Sequence, residues 1–461
     1  MRAALQLSWR LRAAGARENR TPGALAVIAF AVATAALLVC LGGLGAFTAR
    51  AAQADTALAA IAASNAGAGP DLPAVDDLSF LAEMYVTLAW VATTCMVVPI
   101  LTLGGVAARL AIARRDQRLA ALRLAGATSA QVTVMTLAEA ALQALLGALG
   151  GVVLYAAALP LVARLEFQAT PFELRELVVP VWQLLAVVAG VVVLAMVSGL
   201  SSLARVVVSP LGVAARTTPK RLSLLRVVVA AVAVGAWVLV ISPMDDPEAG
   251  NDQRGLIVLL LGGLILAVNT VGPFVVMLVG RLVARFAPTA PVLLAARRIV
   301  DDPRSTWRAV GALGLAIIIV GFTNVVSAAE RQSGPDAVFT ADLRTGALVT
   351  LTVITIVGAT STGVVQASRV LDQRAQYRSL SLAGTSLRTL HRARTVEVAL
   401  PLVVTVVVSA GFALAVVAPF ASAQDAGLVT RFAVAVTAAS GLMLASVLAS
   451  RSLVRQAALA G

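Results

Sequence analysis

Residues 132–163 read VTVMTLAEAALQALLGALGGVVLYAAALPLVA, a run in which Glu139 is the one charged side chain. A helix crosses the roughly 30 Å hydrocarbon core of a bilayer with about 20 apolar residues. This run is longer than that, so its first turns are expected to stand clear of the membrane. The apolar residues do not alternate with polar ones as they would in a barrel strand. Backbone groups in lipid must find their hydrogen-bond partners within their own segment, which leaves a helix as the economical reading.

Nine further apolar segments are found on either side of it, at about 25–48, 84–108, 178–204, 227–243, 255–280, 309–328, 346–367, 396–419 and 432–450. Each is long enough to cross a bilayer, allowing for tilt. Composition agrees. The 461 residues are 59% hydrophobic and 13% charged, with a mean hydropathy of +0.92, against about 45–50% and about 25% for a soluble protein. A soluble globular fold is excluded. The expected fold is an all-α integral membrane protein with ten transmembrane helices.

A formal net charge of +13 suggests nucleic acid until the charges are placed. They lie in the short loops between apolar runs, and no nucleic-acid partner is expected. Of the 36 Lys and Arg residues, 29 fall in segments 1–24, 109–130, 205–226, 281–308, 368–395 and 451–461. The alternate loops hold acidic clusters, Asp55, Asp71, Asp76 and Asp77 in one, Asp245, Asp246, Glu248 and Asp252 in another. The positive-inside bias therefore puts both termini in the cytoplasm. Lys220 is the sole lysine, and that bias, with the abundant alanine, reads as a GC-rich bacterial genome rather than as function. Ala52-Gln53-Ala54 imitates a signal-peptide cleavage site, but the preceding apolar run exceeds the 7–15 residues of a signal-peptide core.

Catalytic chemistry finds no candidates. Cys40 and Cys95 both lie inside apolar runs and His391 is the single histidine, so neither a disulfide framework nor a paired-histidine metal motif is present. No cofactor or metal site is expected in this chain. The middles of the spans carry no ionisable residue, which argues against a proton-coupled carrier.

Self-similarity is the most informative feature. Arg115-Asp116-Gln117-Arg118 precedes Leu124-Ala125-Gly126-Ala127-Thr128, and Leu371-Asp372-Gln373-Arg374 precedes Leu382-Ala383-Gly384-Thr385. Glu139 follows Gly126 by 13 residues and Glu397 follows Gly384 by the same interval, with Pro160 and Pro419 beyond. Residues 116–124 suit a short amphipathic helix lying along the membrane. Gly126 suits the left-handed residue that ends such a helix, and Thr128-x-x-Gln131 fits a capping box opening the next span. The second copy has the glycine and Thr385-Ser386 but lacks the glutamine. The chain divides into 4+2+4 spans: a first unit at 1–216, a linking hairpin at 217–283 and a second unit at 284–461. Each unit starts with an arginine-bearing segment, Trp9-Arg10-Leu11-Arg12 and Ala295-Ala296-Arg297-Arg298. The glycine groups Gly42, Gly43 and Gly45, and Gly147 with Gly151, read as helix packing rather than as a site.

These residues resemble the FtsX-like, or MacB-type, permease subunits of ABC transporters. The resemblance rests on the motif at 115–128 with its glutamate-bearing span, on Ser209-Pro210-Leu211 through Arg216, and on the weaker copy at 371–397. The two-unit, ten-span layout is similar to BceB-type permeases. The resemblance implies a bacterial cell membrane, and a loop after the second span of each unit that sits on a cytoplasmic MacB/LolD-type ATPase dimer. Carried over, the ATPase contacts are Arg115, Asp116, Arg118, Arg123 and Gly126, with Asp372, Arg374, Arg378 and Gly384. Glu139 and Glu397 either transmit movement by pairing with an arginine, or are structural ion pairs or solvated interfacial groups. ATP would bind the partner, since Lys220 lies between Pro219 and Arg221, not in a Walker A loop. The chain is thus expected to be no enzyme but a permease driving export, efflux or extraction of a hydrophobic or amphipathic substrate. A non-transporting signalling or resistance module of the same family is the alternative, and a secondary carrier the more distant one. Many relatives carry a large extracytoplasmic domain; the loops at 49–83 and 329–345 are too short to build one.

Overall fold

The computed structural model describes residues 20–64, 73–112, 128–207, 271–304, 306, 307, 310, 311, 313, 314, 317, 335–372, 379, 384, 386–417 and 426–449. Nearly all of these are helical. Helices α1 (Arg20–Ser64), α2 (Pro73–Ile112) and α3 (Ser129–Val162) are followed by a two-stranded hairpin, β1 (Glu166–Phe167) and β2 (Thr170–Pro171). A single turn, α4 (Leu174–Leu177), leads into α5 (Val181–Val207). After the helical segment 271–285 come α6 (Ala290–Asp301), α7 (Pro335–Asp372), α8 (Leu387–Val417) and α9 (Ala426–Ala449).

Six stretches are long and apolar enough to cross a membrane: Gly23–Ala57, Ala82–Ala108, Thr133–Val162, Leu174–Ser198, Val338–Ser368 and Arg392–Ala410. They coincide with six of the ten expected spans. A shorter apolar run, Val436–Ala445, lies in the tenth. The expected span at 227–243 is outside the described residues, that at 255–280 is described from 271 onward, and that at 309–328 at five positions.

Helix α3 turns small residues inward and large ones outward. On α3 the inward face is Ala140, Ala144, Gly147, Ala148 and Gly151, while Leu145, Leu146, Leu149, Val153 and Leu154 face outward. On α1, Ala26, Ala29, Ala33 and Ala36 are buried and Ile28 is exposed. Lipid solvates leucine as well as a core does, so membrane helices associate through small residues that let backbones approach. A Cβ at Gly151 would stand 2.5 Å from Thr34 Cβ and 2.6 Å from Ala31 O, and one at Gly147 would fall on Phe30. In the other glycine group only Gly42 is pressed, against Leu177 O; Gly43 and Gly45 meet nothing.

Several hydroxyls inside these helices bond back to their own backbone, as Thr93 does to Ala89 O at 2.8 Å and Thr355 to Leu351 O at 2.6 Å. Such a bond keeps a donor satisfied where water is absent. One apolar core crosses from the first half of the chain to the second, joining Phe30, Ile100 and Leu103 to Ile354, Val357 and Met443.

One element departs from the expected loops. Helix α1 is 45 residues long, about 68 Å at 1.5 Å per residue, and continues well past the expected end of the first span at 48. The loop expected at 49–83 is therefore largely helix at both its ends. At the other copy of the repeat, Asp372 is the last described residue of α7, and residues 373–378 lie outside the described residues.

Candidate functional site

Of the expected contact residues, Asp372 and Gly384 are described, and they lie toward the end of the bundle at which α3 and α8 begin. Thr128 caps α3: its hydroxyl accepts from Gln131 N at 3.3 Å, while Gln131 Oε1 accepts from Thr128 N at 3.0 Å. The reciprocal pair satisfies two of the amides that a helix start leaves open. Ser386 does the corresponding work for α8, accepting from Thr389 N at 3.3 Å, with its hydroxyl 3.0 Å from that of Thr389. Thr128 and Ser386 each stand two residues after the glycine of their motif. Gly384 has φ +83°, the left-handed conformation that glycine adopts without steric cost.

Arg115, Asp116, Arg118, Arg123 and Gly126 lie outside the described residues, as do Arg374 and Arg378. Glu139 and Glu397 stand at the same distance into their helices, eleven residues beyond Thr128 and Ser386. Glu139 is half-buried. Glu397 is buried, its side chain 4% exposed, and accepts from Arg298 Nη1 of α6 at 3.2 Å. On the same helix the buried Arg394 donates to Gln366 O of α7 at 3.1 Å. Three elements are thus tied where α8 enters the bundle: α6 through Glu397 and α7 through Arg394. A carboxylate this buried is tolerable because a guanidinium answers it.

The opposite end holds a cluster that sequence reasoning missed. Arg50 of α1 donates to Phe167 O and Pro171 O of the hairpin, each at 2.9 Å, and to Glu176 Oε2 of α4 at 3.0 Å. Its guanidinium also lies 4.4 Å from the centre of the Phe172 ring. Phe47 packs edge-on against Phe167 and Phe172 and stacks on Tyr85 of α2. Tyr155 of α3 donates to Leu177 O and accepts from Val179 N. Asp342, buried near the start of α7, then joins the second half: its Oδ2 accepts from Tyr85 Oη at 2.5 Å and from Gln168 N at 2.7 Å. Gln168 and Ala169 both have φ of 58°, the type I′ geometry of a two-residue hairpin.

The sequence signal for this cluster is thin but real. Arg50 is a basic residue in a loop where few occur, and an acid at the head of a span, Asp342, wants a partner.

Removing the Asp342 carboxylate leaves the Tyr85 hydroxyl and the Gln168 amide without their acceptor. Asp342→Leu is expected to destabilise the solubilised chain by about 3 kcal/mol and Tyr85→Phe by about 1 kcal/mol, the ranges for orphaned and for deleted hydrogen-bonding groups. Thermal unfolding in mild detergent is the measurement, and equal effects of the two changes would contradict the shared-acceptor geometry.

Residues 90–210 match the FtsX-like permease C-terminal family. The match runs from the middle of α2 through α3, the hairpin and α5, about a quarter of the chain, and includes residues 113–127. No curated protein matches the chain significantly. The matched stretch contains the Thr128 cap, Glu139, the whole hairpin and Glu176 of α4. Arg50 and Asp342 come to it from either side in sequence.

Proposed function

We propose that this chain is the permease subunit of an ABC transporter and couples ATP hydrolysis by a separate cytoplasmic ATPase dimer to export or extraction of a hydrophobic or amphipathic molecule. The FtsX-like match at 90–210 carries the reading, because FtsX-like permeases generally partner with cytoplasmic ABC ATPases. The end bearing Thr128 and Gly384 faces the cytoplasm, as the concentration of Lys and Arg in those loops favours, and the hairpin end faces outward. Arg115, Asp116, Arg118, Arg123 and Gly126 in one unit, and Asp372, Arg374, Arg378 and Gly384 in the other, meet the ATPase. Two units in one chain offer one docking loop to each ATPase subunit.

Nucleotide binding closes the ATPase dimer, and the docking loops pass that closure to the spans as rigid-body movement. Direct cap-to-helix corners at Thr128 and Ser386 suit this role, since a satisfied helix start resists fraying under load. Glu397 with Arg298 and Arg394 with Gln366 O then spread the displacement of α8 to α6 and α7. ATP is held by the partner, and this chain contributes no cofactor site.

Charge reversal at Arg115 and Arg118 together is expected to reduce ATPase co-purification by about tenfold or more, the effect of losing two charge contacts of roughly 1 kcal/mol each. The same reversal at Arg175, at the hairpin end and exposed beside Glu173, leaves attachment intact. Full attachment after reversal at Arg115, Arg118, Arg374 and Arg378 would remove the docking assignment.

A further inference from the structure

The helical segment 271–285 has two faces of different character. One is packed: Val276 is buried with Ile299 and Trp307, and a Cβ added at Gly280 would stand 3.0 Å from Ile299 Cγ2 and 3.2 Å from Val300 Cγ2. At 100° per residue, Leu278, Arg281, Leu282, Arg285 and Phe286 share the opposite face. That face is bare, with Leu278 56%, Leu282 59% and Phe286 70% exposed, and Arg281 and Arg285 exposed beside them. Arg285 lies 5.9 Å from the centre of the Phe286 ring. Residues 271–300 contain no Asp or Glu. Among the described residues neither Arg281 nor Arg285 has an ion-pair partner.

The order along the helix matters as much as the composition. The two arginines stand one turn apart at the end of the segment, with Leu282 between them on the same face and Leu278 one turn further from the end. An amphiphile with an anionic head fits that order: phosphate against two guanidiniums, an acyl chain along Leu282 and Leu278. Guanidinium forks match phosphate oxygens in geometry as well as charge. A free phosphate would leave the leucines unused, and a zwitterionic lipid would set its own cation against the arginines.

We infer that Arg281 and Arg285, with Leu278, Leu282 and Phe286, bind an anionic phospholipid of the surrounding leaflet. The site does not depend on the ABC reading. Arg297 supplies the control: it is exposed at the same end, but on the side of α6 away from the Ile299 contact with Gly280.

The full chain, delipidated in mild detergent, is titrated with phosphatidylglycerol, with phosphatidylcholine of the same acyl chains, and with inorganic phosphate, and bound lipid is counted by native mass spectrometry. The unaltered chain is expected to retain phosphatidylglycerol over phosphatidylcholine, and inorganic phosphate is expected not to displace it. Each arginine near an anionic lipid surface contributes about fivefold in affinity. R281Q and R285Q should therefore each cost about fivefold, and R281Q/R285Q about 25-fold, with R297Q unchanged. The single variants carry the test if the double variant does not fold. Undiminished phosphatidylglycerol retention in the arginine variants, equal loss in R297Q, displacement by inorganic phosphate, or no headgroup preference in the unaltered chain would each overturn the inference.

Discussion

Arg50→Ala is expected to destabilise the solubilised chain by about 3 kcal/mol, the scale on which a mostly buried pair fails when one partner is removed. The Arg50 and Glu176 side chains are only 10% and 14% exposed, so water does little to replace the lost guanidinium. Two hairpin carbonyls lose their donor at the same time, and Phe172 loses its cation. Arg50→Lys restores the charge but not the fork that reaches Phe167 O, Pro171 O and Glu176 together, so it should recover only part of the loss. Arg50→Ala with Glu176→Ala should be milder than Arg50→Ala alone, because no buried carboxylate is then left behind. Thermal unfolding of these proteins together with Glu176→Ala decides this. A double variant as damaged as the sum of its parts would mean that Arg50 and Glu176 act independently.

Gly151→Leu is the second large effect. The α1–α3 contact leaves no room for even a methyl group, with Thr34 Cβ at 2.5 Å and Ala31 O at 2.6 Å from the position it would take. Overpacking of a close contact costs about 1–3 kcal/mol. Gly151→Ala is therefore expected to cost about 2 kcal/mol, and Gly151→Leu more, since backbone cannot step aside as a side chain can. Gly43→Ala and Gly45→Ala lie on the same helix pair's α1 with open space around them. There the gain in helix propensity, up to about 1 kcal/mol, should appear as unchanged or raised stability. Opposite responses at Gly151 and Gly43, measured by the same thermal assay, separate close approach from the general effect of replacing glycine. Similar responses at both would contradict the packing.

The difference between what could and could not be read from sequence is one of range. Spans are local in sequence, and the third, 132–163, appears as α3 with its capping box formed at Thr128 and Gln131. The glycine of the repeat is local too, and Gly384 adopts the left-handed conformation. Residues 51–64 were read as loop because they lack a long apolar run. Eight of those fourteen residues are alanine, the strongest helix former, and propensity carries α1 to Ser64.

The hairpin end resisted reading for a different reason. Gln168-Ala169 lacks the Asn-Gly or Asp-Gly signature of a type I′ turn. Its support is distant: Arg50 meets Glu176 across 126 residues, and Asp342 meets Gln168 and Tyr85 across 174 and 257. Periodicity and motif spacing carry no trace of such pairings. Glu397 lies between the two cases. Its place in the repeat is legible, but Arg298, 99 residues earlier, is a partner that only the fold supplies.

Gentle purification of the tagged chain from its native membrane, with co-purifying proteins identified by mass spectrometry, tests the central claim most directly. The account predicts a stoichiometric subunit bearing a Gly-x-x-x-x-Gly-Lys-Ser/Thr loop, the phosphate-holding sequence that this chain lacks. Reproducible absence of any such subunit from an intact, folded preparation would contradict it.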